Sequence, residues 1–196
     1  MRNMFMMTTV AALLLAGCST TKDLTAATVA AEETNDQTTH VEDEAMATFT
    51  AQQGTITSLH QTVDGLFAEA TFDGNPITFL VFDDTPIVTN TGEDTTLQVG
   101  MTITGYVYSN SPMVMIYPPR YTPVLVVVET EEMGLYDVAT FNDALINETN
   151  TLRLNSEDTL TAGDYAVFYT VSTRSIPAQT TPHRIIALTN PFTAAN

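Results

Sequence analysis

Residues 54–82, GTITSLHQTVDGLFAEATFDGNPITFLVF, decide the fold. Three runs rich in β-branched and aromatic residues, Gly54 to His60, Leu66 to Phe72 and Ile77 to Phe82, are parted by Asp64-Gly65 and by Asp73-Gly74-Asn75. Asp-Gly supplies the positive φ angles that tight hairpins need, so the stretch predicts a three-stranded antiparallel meander. Downstream, an acidic turn-rich stretch from Asp83 to Val99 leads to a strand over Met101 to Tyr108. A loop over Ser109 to Thr122 follows, then a last strand over Pro123 to Val128. Five strands arranged as meander, crossing and final hairpin predict a small Greek-key barrel of the OB type over residues 49–130. The 36 threonines of the 196-residue chain agree with an all-β body, because Thr packs well on a half-buried pleat and poorly in a helix interior.

Residues 131–190 read as a partial second copy, with a short tail over 191–196. Phe82-Asp83-Asp84 with Ile87 recurs as Phe141-Asn142-Asp143 with Ile146, and Leu97-x-x-Gly100 recurs as Leu160-x-x-Gly163. Each Leu-x-x-Gly is preceded by a Glu-Asp-Thr step and followed by a strand containing Tyr106 or Tyr169. Pro118 to Val127 aligns with Pro177 to Ile186, so one loop grammar is used twice. The second copy is too short for five strands and lacks an opening meander. It is expected to borrow strands from the first or to form an open sheet against it. The shared pattern, an apolar strand, a Pro-rich loop and a final apolar strand over 78–128 and 138–188, resembles β-modules of secreted and lipid-anchored proteins of Gram-positive bacteria. That resemblance implies an architecture of two OB-like repeats, the second incomplete, and no activity.

Upstream, residues 1–17 place Arg2 before an apolar run that ends at Leu15, which is the form of a secretory signal peptide and too short for a permanent span. Leu15-Ala16-Gly17-Cys18 resembles the lipobox of bacterial lipoproteins, which implies that Cys18 is the lipidated first residue of the mature chain. The implied location is the extracytoplasmic face of the cell membrane, or the outer membrane in a diderm cell, since Ser19 and not Asp follows the cysteine. Residues 18–48 have no aromatic residue before their end and carry seven acids after Cys18, so they read as a flexible acidic tether. An Ala-rich helix over Leu24 to Glu33 is the alternative there.

Lys and Arg number 6 against 23 Asp and Glu, a formal charge of −17, which repels nucleic-acid phosphates and excludes a nucleic-acid partner. One cysteine excludes a disulfide framework and thiolate-rich zinc sites. The three histidines, His40, His60 and His183, form no i,i+4 pair, and no G-x-S-x-G elbow occurs. The expected function is therefore non-enzymatic, with no cofactor: a membrane-anchored binding or structural module of the cell envelope, whose ligand is a cell-wall or envelope component. Tyr117, Arg120 and Tyr121 are the candidate binding residues, since prolines 118 and 119 stiffen the loop and Tyr and Arg dominate interface hot spots. The alternative is a metal-binding lipoprotein. Met113-x-Met115 would place two thioethers on one strand face for Cu(I), with His60, an arrangement that resembles periplasmic copper chaperones but lacks their tryptophan. The turn acids Asp83, Asp84, Glu93 and Asp94 would suit Ca²⁺. A second alternative is a hydrolase whose site assembles only in three dimensions.

Overall fold

The computed structural model describes residues 47–156 and 159–191. The expected signal peptide, Cys18, the expected tether as far as residue 46 with its helical alternative and His40, and residues 192–196 of the tail lie outside the described residues. Ala47 and Thr48, assigned by sequence to the tether, are already bonded into the body: Thr48 Oγ1 donates to Glu148 Oε2 at 2.7 Å, and Ser109 Oγ donates to the Ala47 carbonyl at 2.6 Å.

The described residues are all β, with no helix. In chain order the strands are β1 Phe49–Thr62, β2 Gly65–Phe72, β3 Asn75–Val81, β4 Ile87–Thr89, β5 Thr102–Tyr108, β6 Arg120–Tyr121, β7 Leu125–Val128, β8 Leu135–Phe141, β9 Leu152–Leu154, β10 Gly163–Tyr169, β11 Ala178–Thr180 and β12 Arg184–Ala187. The expected meander is β1 to β3. Its second hairpin pairs Phe72 with Asn75 across Asp73 (φ 49°) and Gly74 (φ 78°), the two positive φ angles of a type I′ turn. β1 is much longer than the run that predicts it. It pairs with β5 from Phe49 to Thr55, passes an irregularity between Ile56 and Ser58, and pairs with β2 to Thr62. An extra residue of this kind bends a strand, which lets β1 serve two neighbours along its length.

The first sheet runs β4-β7-β5-β1-β2-β3-β6, and residues 135–187 make a three-stranded sheet β12-β10-β8 and a parallel pair β11-β9. These sheets are not closed barrels, which corrects the barrel expectation. β6 pairs with β3 and β7 pairs with β5, but the ladder breaks between them at Thr122 to Val124. Pro123 there is fully buried and has no N–H to offer a neighbouring strand. The second region forms its own open sheet against the first, one of the two outcomes expected from its length.

The two segments aligned by sequence share some pairings. Tyr106 faces Leu125 and Gly105 faces Val126, as Phe168 faces Arg184 and Val167 faces Ile185. Val124 N–H donates to the Tyr106 carbonyl and His183 N–H to the Phe168 carbonyl, at 2.8 and 2.9 Å. β6 lies parallel to β3 as β11 lies parallel to β9. Phe168 rather than Tyr169 therefore stands where Tyr106 does. The Phe-x-Asp match does not survive the pairing: β3 ends before Phe82 and pairs with β2 and β6, whereas β8 ends at Phe141 and pairs with β10, as β1 pairs with β5. Similar turns follow strands with different partners.

Strand alternation sorts the core into three clusters. Val126 and Val128 of β7 point to Ile56, Phe79 and Ile103, while Leu125 and Val127 point the other way to Phe49, Tyr108 and Phe168. β10 divides likewise, Ala166 and Phe168 entering that middle cluster and Tyr165 and Val167 entering a third with Phe141, Leu152 and Leu154. The middle cluster belongs to both regions. Polar links seal it: Tyr108 donates to Asp164 Oδ2 at 2.9 Å, and Arg184 donates to the Gly92 carbonyl at 2.7 Å while pairing with Asp94 at 2.6 Å. Burial, then the carboxylate of Asp164, pushes the Tyr108 hydroxyl pKa upward, so this link keeps its proton.

On β8, burial raises the Asp137 pKa above its ordinary 3.8, opposed by a hydrogen bond from Asn147 Nδ2 at 2.9 Å and by the Val138 N–H. An acid whose pKa is raised by folding costs stability once ionised. The loss develops as pH rises from the unfolded value through the folded one. Asp137→Asn, which keeps an oxygen for Asn147, is therefore expected to raise the melting temperature at pH 7. The gain should shrink as pH falls through the folded value and vanish well below the unfolded one, where both states carry the protonated acid. Thermal melts of both chains across the acid range check this, and a gain independent of pH would contradict it.

Candidate binding loop

The loop between β5 and β6 begins where β5 is pinned on two sides. The Tyr108 ring lies 4.6 Å from that of Phe49, and Ser109 N–H donates to the Thr48 carbonyl at 2.9 Å. Beyond the turn that Ser111 N–H closes on the Tyr108 carbonyl, the chain leaves the body, and residues 111–116 belong to no strand. The same-face spacing invoked for Met113 and Met115 therefore does not apply, because no pleat orders them. Met115 is fully exposed at 101%, Tyr117 is 79% exposed, and Met113, Val114 and Ile116 are exposed beside them. The Tyr117-Pro118 and Ile176-Pro177 bonds of the two matched loops are both cis.

The loop returns as β6, where the Pro119 carbonyl accepts from Thr78 N–H at 3.0 Å. Parallel pairing sets Arg120 beside Thr78 and Tyr121 beside Phe79. Successive residues point to opposite faces, and the two side chains part accordingly. Tyr121 turns inward, half-buried, with its ring 6.1 Å from that of Phe79. Arg120 turns outward and lays its guanidinium 4.8 Å above the Phe67 ring, a cation–π contact. Among the described residues Arg120 has no ion pair; Arg184 takes the internal pairing with a turn acid, Asp94.

Met113, Arg120 and Tyr121 come together around a hollow of about 80 Å³, with Thr50, Gln52 and Ser111 on its wall. Ser111 Oγ is buried there and has no hydrogen-bond partner among the described residues. Buried hydroxyls are rarely left so, and a space of this size admits a small polar group that would satisfy it. Tyr117, Met115 and His60 do not line the hollow. His60 is exposed near the end of β1, opposite Phe67. Among the described residues no three His, Cys, Asp or Glu side chains converge on a metal-sized site, Asp83, Asp84, Glu93 and Asp94 included.

Phe67 and Ser111 escape the sequence reading. Phe67 was half legible: alternation with the inward Ala68 and Ala70 puts it on the outer face, but nothing local announces Arg120 as its neighbour. Ser111 carries no local signal. In the aligned segment, Gln179 and Thr180 stand against Arg120 and Tyr121, and Thr180 Oγ1 donates to the Val171 carbonyl at 2.6 Å. No protein-family model, curated protein or solved structure matches this chain.

Proposed function

We propose that this protein is a non-enzymatic lipoprotein of the cell envelope, anchored through Cys18 on the extracytoplasmic face, whose body binds a carboxylate-bearing envelope component at Arg120. One observation carries the binding reading: Arg120 lies over Phe67 with no acidic partner among the described residues, beside a hollow on whose wall the Ser111 hydroxyl is likewise unpartnered among them. A guanidinium held over a ring has lost part of its conformational freedom and can still offer donors to a carboxylate. On a body of strongly negative charge such a cation selects its ligand locally, since the overall field opposes anions.

We read the body as two OB-like repeats, the second incomplete. The segment 120–128 pairs at its start with β3 and at its end with β5, the connectivity of an OB barrel's last strand. The registers shared by β5–β7 and β10–β12 support the duplication, with β8 and β9 in the roles of β1 and β3, and no counterpart of β2. The lipid anchor rests on Leu15-Ala16-Gly17-Cys18 alone.

Two experiments test this reading. Intact-mass analysis of the protein from cell envelopes should find a chain beginning at acylated Cys18, and Cys18→Ser should leave it unprocessed or unanchored. A mature chain that retains residues 1–17 removes the anchor. Arg120→Ala, made on the anchored protein, should weaken binding to cell-wall fragments by about 1–4 kcal/mol with little change in melting temperature. Tyr121→Ala should lower the melting temperature, because its ring packs on Phe79 in the core. Unchanged binding in Arg120→Ala would reject the site.

A further inference from the structure

The first described residue lies at the root of the exposed loop. Residue 47 is the first described, and its carbonyl accepts from Ser109 Oγ at the root of the loop. Four residues beyond that root the chain carries Met113, Val114, Met115, Ile116 and Tyr117, five consecutive exposed apolar or aromatic side chains. They sit inside residues 95–128, the longest run without Asp or Glu in a chain that carries 23 of them. The other apolar loop, with Val171 and Ile176 exposed, lies elsewhere. β10 begins beside the end of β5, where Tyr108 meets Asp164, and this second loop follows the far end of β10, roughly 20 Å along a seven-residue strand.

We propose that the tip Met113 to Tyr117 is a membrane-contact element, which enters the headgroup region of the bilayer that holds the Cys18 anchor. This inference rests on the lipid-anchor reading above. A short loop of this size gives only weak interfacial binding on its own, but tethering converts the encounter into an intramolecular one. An effective concentration on the order of millimolar makes weak binding sufficient. Tyr117 suits the depth, with its ring among acyl carbons and its hydroxyl at the headgroups. The absence of acids from the tip removes the charge that would otherwise be desolvated, while the −17 of the whole chain directs the contact to electrically neutral lipid. Contact at this end orients the body, leaving the Val171 and Ile176 loop pointing away from the surface.

The chain has one cysteine and no tryptophan, which makes the test direct. A chain beginning at Cys18, which keeps every described residue, is coupled through that cysteine to maleimide lipid in phosphatidylcholine vesicles. Met115→Trp, at a fully exposed position, then provides the single tryptophan, and Ile176→Trp provides the same probe at the far end. Lipids brominated near the headgroup should quench Met115→Trp about twofold more than Ile176→Trp. Partial replacement by phosphatidylglycerol should reduce the difference at low salt. Equal quenching of the two probes overturns the proposal. So does a concentration-dependent dimer of the uncoupled chain that Met115→Ser abolishes, which would assign the tip to a second copy. Since the coupling is chemical, the two readings fail separately: equal quenching with acylated Cys18 in cells rejects the contact alone, and selective quenching with unacylated Cys18 rejects the anchor alone.

Discussion

Residues 131–196 expressed alone are expected to show no cooperative unfolding transition and to aggregate. Phe168 and Ala166 on β10, with Leu188, Tyr136, Val138 and Ile186, fill a cluster whose other buried members, Phe49, Val88, Tyr108, Leu125 and Val127, all precede the cut. Separation leaves one face of β8, β10 and β12 bare. It also strips Arg184 of Gly92 and Asp94, and Asp164 of Tyr108. What remains is a single cluster of six buried residues, Ala139, Phe141, Leu152, Leu154, Tyr165 and Val167, which is a small core for a chain of this length. Open strand edges beside an uncovered apolar face favour association between copies. Urea titration followed by circular dichroism and a proton–nitrogen NMR spectrum measure the outcome. Dispersed peaks with a sigmoidal transition would show that the middle cluster is dispensable. The converse mixture is informative too: adding residues 1–130 to the fragment should restore dispersion, since the missing half of the cluster comes with them.

Phe168→Ala in the full chain is expected to cost about 3–5 kcal/mol. Phe168 is fully buried and stacks on Tyr136 with ring centroids 5.7 Å apart. It also presses on Gly92, where a Cβ would lie 2.8 Å from its Cγ. At 2–4 °C for each kcal/mol the melting temperature should fall by roughly 6–20 °C. The shared cluster adds a sharper expectation. Although Phe168 belongs to the second region, amides of β1 and β7 should lose hydrogen-exchange protection together with those of β10. Loss confined to β8, β10 and β12 would mean that the regions open independently. Gly92→Ala separates the contributions at this contact. Gly92 adopts φ 87°, so a side chain costs backbone strain as well as overlap with Phe168. In the Phe168→Ala background only the strain should remain, and the double-mutant cycle should return a clear coupling between the two positions.

The all-β class, the hairpins of the meander and the central place of residues 125–128 follow from local chemistry. Asp73-Gly74 dictates a two-residue turn whatever lies beyond it. Leu125 to Val128, apolar at every position, cannot have a wet face, and β7 is indeed covered on both sides. Where strands end and whom they meet was not legible in this way. β1 runs on to Thr62 and back to Phe49 because β5 and β2 are there to pair with it. The Phe-x-Asp turns look alike, yet the strands before them have different neighbours, because a turn signal spans a few residues and a pairing joins segments dozens apart. The cations show the same division. Arg120 opens β6 and Arg184 opens β12, and only tertiary packing puts an aromatic ring under the first and a carboxylate beside the second. Side-chain periodicity tells which face is buried; what covers that face depends on contacts distant in sequence, whose closure entropy must be met by the whole core at once.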